Sequence, residues 1–174
     1  MRIVRFPKSH LRLYAKPFGG EYSADDLIRA AIDRSMDAVG FVIPSILPQN
    51  ARKNEHLERV IAFRREMDEL KKVYGNRIGI LLGCERDFYA EEPDAEYDYT
   101  VGSVHYLHLG GELIEIGGEE SLAAVADRFF DGNLYAVVRC YYETLAELVW
   151  KTDCDIVADL DWIRVWNKIG RAHV

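Results

Sequence analysis

Three polar residues stand where apolar runs end, and their types suit metal chemistry. Glu85 closes the run Arg77-Ile78-Gly79-Ile80-Leu81-Leu82-Gly83-Cys84, His105 follows Tyr99-Thr100-Val101-Gly102-Ser103-Val104, and Asp159 follows Cys154-Asp155-Ile156-Val157-Ala158. A carboxylate, an imidazole and a second carboxylate arriving from separate elements can encircle one divalent ion, because oxygen and nitrogen donors are what such ions prefer. Each residue also has a plainer reading. Glu85 can pair with Arg86 or with a neighbouring helix. His105 can be a core histidine bonded to a carbonyl. Asp159, with Asp161 two residues on, can be the N-cap and first turn of a helix.

Other catalytic grammars are missing: the chain has no GxSxG, GxxxxGK[ST] or HExxH, and Gly19-Gly20 lacks the other glycines of a dinucleotide fingerprint. Cys84, Cys140 and Cys154 are an odd, widely spaced set in apolar contexts. That reads as buried structural thiols in a reducing cytoplasm, with neither a disulfide framework nor a zinc knuckle.

The elements that must position the three residues follow from periodicity and punctuation. Ser23-Ala24-Asp25-Asp26 is an N-cap with acids in the first turn, opening a helix to about Arg34. Ala38 to Ile43 is a buried strand, closed by Pro44 and Pro48. Asn54 to Tyr74 places Leu57, Val60, Ile61, Met67, Leu70 and Val73 among charges, a long amphipathic helix stopped by Gly75-Asn76. Arg77–Glu85 and Tyr99–Leu107 read as second and third strands. Gly110-Gly111 between Tyr106–Leu109 and Glu112–Ile116 is a two-residue hairpin signal. Glu119–Phe130 and Leu134–Lys151 are helices broken at Asp131-Gly132-Asn133; Cys154–Ala158 is a fourth strand, and a helix begins at Trp162 and runs to Lys168. Trp150, Trp162 and Trp166 are expected in the core. Strands alternating with helices imply an α/β fold with a parallel sheet, layered or closed into a barrel. In such folds chemistry gathers at strand C-terminal ends, which is where Glu85, His105 and Asp159 fall.

Composition narrows the partners. With 174 residues, 49% of them hydrophobic, the chain is sized for one domain over residues 1–174. A net charge of -7 argues against nucleic acid and acidic membranes. The densest basic run, Arg64-Arg65 with Lys71-Lys72, is interleaved with Glu66, Asp68 and Glu69, as on a solvated helix face. Met1 to Pro7 lacks the apolar run of a signal peptide, and no stretch reaches the roughly 20 apolar residues of a membrane span, so a cytoplasmic location is expected.

Several runs, in order along almost the whole chain, resemble the histidinol-phosphatase branch of the PHP (polymerase and histidinol phosphatase) phosphoesterases. They are Glu21-Tyr22-Ser23 through Leu27, Met36 to Phe41, Gly83-Cys84-Glu85, Tyr97 to Tyr106, Tyr141-Tyr142 and Asp155 to Asp161. The most specific is Gly102-Ser103-Val104-His105 with its preceding Tyr97-Asp98-Tyr99. The resemblance implies a distorted, TIM-like parallel β/α barrel of seven strands, and metal-dependent hydrolysis of L-histidinol phosphate in histidine biosynthesis. It implies Mn, Zn or Fe held by Glu85, His105 and Asp159, with Glu85 from a GxE motif and His105 from an SVH motif as catalytic residues. In such a site the metals would bind the phosphate and lower the pKa of a bridging water.

The pattern also departs from the family. Arg12-Leu13-Tyr14 aligns with an HxH motif, Ile43-Pro44 with Asp-His, and Asp159 with the histidine of GHxD. The family's final SDxH would lie beyond Val174. These departures imply reduced or absent metal occupancy and impaired hydrolysis. The alternative they imply is an inactive scaffold or fragment acting by protein or phosphate binding, with Arg12 and Arg139 supplying positive charge. The chain is expected to cover the N-terminal two-thirds of the family fold, an incomplete barrel lacking its last strands, with a homo-oligomer covering the open edge.

Overall fold

The structure, a computed structural model, describes residues 7–47, 53–91, 96–117 and 121–166. Pro48, Glu119 and Lys168, each assigned a role in the sequence, lie outside these. The fold is mixed α/β. Its contacts gather into two compact units, Met1–Glu85 with Glu91–Thr100, and Arg86–Ala90 with Val101–Val174.

In the first unit, β1 (Ser9–Leu13), β2 (Ala38–Pro44) and β3 (Gly79–Asp87, through Glu85 in this unit) pair in parallel. β2 is central and buried along both faces, which is why Val39, Phe41, Val42 and Ile43 form an unbroken apolar run. Its core neighbours include Ile28 and Ala31 of α1 (Ala24–Asp33) and Phe63 and Met67 of α2 (Lys53–Tyr74). α1 begins as expected: Ser23 Oγ accepts the Asp26 N–H at 3.2 Å and Asp26 reaches back to the Ser23 N–H at 3.3 Å, a reciprocal capping box. The apolar stripe expected on α2 is only partly buried. Val60 and Met67 join the core with Phe63 and Tyr74, whereas Leu57, Ile61 and Val73 face solvent.

Asp98, just ahead of β4 (Tyr99–Ser103), ties that strand to β3: its N–H donates to Leu82 O at 2.8 Å, and its carboxylate accepts the Leu82 N–H at 2.7 Å and Lys71 Nζ at 3.2 Å. Burial pushes the Asp98 carboxyl upward, but the Leu82 N–H and the Lys71 ammonium outweigh it and hold the group below its ordinary range. A carboxyl depressed in the folded chain binds fewer protons than in the unfolded one, so its stabilisation is complete above about pH 5 and fades as pH falls through the carboxylate range. Asp98→Ala should therefore cost about 1.5 kcal/mol at pH 7, through the orphaned Leu82 N–H, and less below pH 4. Urea titrations at a series of pH values read both effects.

In the second unit β4 pairs in parallel with β7 (Ile156–Val157), and the Phe88 N–H at the end of β3 donates to Ser103 O at 2.9 Å. The strand order is thus β1-β2-β3-β4-β7. The third strand ends sooner than its sequence suggested. It stops at Ser103, and Tyr106 onward forms a separate antiparallel ladder, β5 (Tyr106–Leu109) with β6 (Glu112–Glu115). Gly110 and Gly111 carry φ of 56° and 89°, the left-handed pair that a two-residue hairpin turn demands. The fourth strand shrinks to two residues. Against this unit's core pack α3 (Leu122–Phe129), α4 (Leu134–Thr152) and α5 (Trp162–Trp166), with Val104, Leu107, Val125, Val137, Tyr141, Leu148 and Ile163 buried. Trp162 is packed at the margin of that core, but Trp150 is 90% exposed, against expectation. It lies on the outer face of α4, where helical phase overrides residue preference. Among the described residues no helix is long and apolar enough to cross a membrane.

Candidate functional site

The chemistry-bearing residues fall into one group in each unit. In the first, Glu85 is 4% exposed near the C-terminal end of β3, paired in register with Pro44 and with its carbonyl accepting the Ser45 N–H at 2.7 Å. Its Oε1 receives Arg12 Nη2 at 2.5 Å. Arg12 lies within an irregularity of the β1–β2 register between His10 and Leu13, the kind of break that re-aims a side chain. Arg12 Nε also donates to the Tyr14 hydroxyl at 3.2 Å, and His10 Nδ1 accepts the Arg12 N–H at 3.3 Å. Arg12 thus reaches Glu85 from 73 positions away in the chain. The charge-assisted bond between a guanidinium and a buried carboxylate is of the strong class.

In the second unit, β4 ends at Ser103, Val104 turns into the core, and His105 emerges at the strand end. Its backbone N–H donates to Asp87 Oδ2 at 2.7 Å. Nδ1 of the ring lies 3.3 Å from Ser103 Oγ and 3.6 Å from Asp87 Oδ2, while Nε2 faces Asp159 Oδ2 at 3.4 Å. The ring stands edge-on to Trp162, centroids 5.6 Å apart at 89°. Trp162 is anchored in turn by its indole N–H donating to Ile116 O at 3.1 Å. The imidazole is therefore fixed from several sides.

Asp159 adopts φ 54°, a left-handed conformation that aspartate tolerates better than most residues. Its carbonyl accepts the Tyr141 hydroxyl at 2.6 Å and the Trp162 N–H at 3.0 Å, and its carboxylate turns to His105. Tyr141 is fully buried; burial first, then the Asp159 carboxylate, pushes its phenol up to about 12, so it remains a donor at neutral pH. Asp161, the other candidate acid, is exposed and lies 3.6 Å from Arg164.

A separation of 3.4 Å is long for a good hydrogen bond. It matches what two donors about 2.1 Å from one tetrahedral ion would show, about 3.4 Å. The donor set fits too: Glu85, His105 and Asp159 each offer an atom of the kind that holds a divalent cation. With Ser103 and Asp87 on the Nδ1 side, Nε2 is the nitrogen presented for ligation, the arrangement in which a carboxylate orients a ligating histidine.

Asp87 was missed in the sequence. It is buried, its Oδ1 takes the Tyr89 N–H at 3.0 Å, and it holds His105 in place. Its signal was the alternation of a strand: β3 runs on past Glu85 to Asp87, two residues further and on the same side of the pleat. Arg139, considered as an anion-binding charge, is exposed on α4.

Compared with known proteins, the chain matches no family model, and no curated protein matches it.

Proposed function

We propose that this chain is a relative of the histidinol-phosphatase-type PHP phosphoesterases, built on part of their β/α barrel, in which metal-dependent hydrolysis of histidinol phosphate is strongly impaired. The observation that carries the reading is Arg12 Nη2 at 2.5 Å from Glu85 Oε1. Arg12 aligns with the family's first-strand ligand motif, and Glu85 with its metal-bridging carboxylate. A guanidinium there supplies a positive charge where the family has a cation. It has no vacant coordination position, however, and cannot lower the pKa of a water as a metal does.

A second reading is favoured by the His105–Asp159 separation of 3.4 Å. In it, His105 and Asp159 still take one divalent ion, Mn, Zn or Fe, with Glu85 as the further ligand that the resemblance assigns. Bound, such an ion would supply Lewis acidity toward a phosphate oxygen. Asp87 and Ser103 would orient the imidazole, and Tyr141 would hold the Asp159 backbone. The two readings make different predictions for the same assay.

The full chain, assayed with histidinol phosphate and Mn²⁺, Zn²⁺ or Fe²⁺, is expected to turn over below about 10⁻² per second, against roughly 10 per second for an ordinary enzyme. Turnover near the ordinary value, abolished by Glu85→Ala, would overturn the impaired reading.

A further inference from the structure

We draw no further inference here: the strongest candidate, the outer face of α4 with its exposed Tyr135, Tyr142, Val149 and Trp150, carries nothing because nothing in the structure shows what covers it.

Discussion

Gly83→Ala is expected to destabilise the first unit by about 3 kcal/mol, at the upper end of what one added methyl does to a packed core. A Cβ at residue 83 would lie 2.5 Å from both Cε2 and Cζ of Tyr99, and 2.9 Å from Cε1. One at Gly40, on the neighbouring strand, would overlap the Tyr99 hydroxyl and come within 3.1 Å of Leu11 Cα. The ring cannot yield easily. Tyr99 is 8% exposed and its hydroxyl donates to Leu11 O at 2.7 Å, which binds it across the strands to β1. Burial, and then the Asp98 carboxylate, push its phenol well above the ordinary range, so the donor persists at any pH the fold would meet.

Urea unfolding should show a lower midpoint for Gly83→Ala with an unchanged slope. In a Tyr99→Leu background, where the ring is gone, the same substitution should be nearly neutral, a coupling of about 3 kcal/mol. An unchanged midpoint in the single variant would mean that Tyr99 does not lie over the strand glycines. The consequence reaches the candidate site, because Leu11, the acceptor, precedes Arg12.

Arg12→Ala is the second large effect, expected at about 2 to 3 kcal/mol. Removing one member of a buried ion pair strands the other, typically at roughly 3 to 5 kcal/mol. The lower figure applies because the Arg12 side chain is 32% exposed while Glu85 is 4% exposed. Adding Glu85→Gln to Arg12→Ala should recover about half of the loss, since a neutral amide is cheaper to bury than a carboxylate.

The same variant reports on function. If the guanidinium occupies the place of a cation beside Glu85, removing it should let a cation in. Manganese at about a hundred times its dissociation constant should then stabilise Arg12→Ala by about 2.7 kcal/mol, while shifting the unsubstituted chain far less. Thermal unfolding with and without Mn²⁺ measures the difference, and Glu85→Gln should abolish it. Equal stabilisation of both chains would show that Arg12 does not stand in the cation's place.

Much of the architecture was legible because it rests on local energies. The Ser23 cap, the left-handed glycine pair at 110–111 and the unbroken apolar run of β2 each reflect a preference set within a few residues, and each was found where it was expected. Errors arose where burial depends on what packs against an element. Leu57, Ile61 and Val73 share an apolar character with Met67, but only a tertiary neighbour decides which side of α2 is covered. Trp150 was placed in the core by residue type, and its phase on α4 turns it outward. The third strand was extended through Leu107 by its apolar residues. It stops at Ser103 because Tyr106 to Leu109 find their partners in Glu112 to Glu115.

For the candidate site, sequence named three candidates. Strand ends, residue types and the SVH run singled out Glu85, His105 and Asp159 without coordinates, since strand ends are where polar groups in parallel sheets escape the core. What only the tertiary structure decided is how each is held. Asp87 grips the His105 backbone, Tyr141 grips Asp159, and Arg12 neutralises Glu85 from 73 residues away. Coulombic and hydrogen-bond partners are chosen by distance in space, and a buried carboxylate takes the positive charge that the fold brings to it.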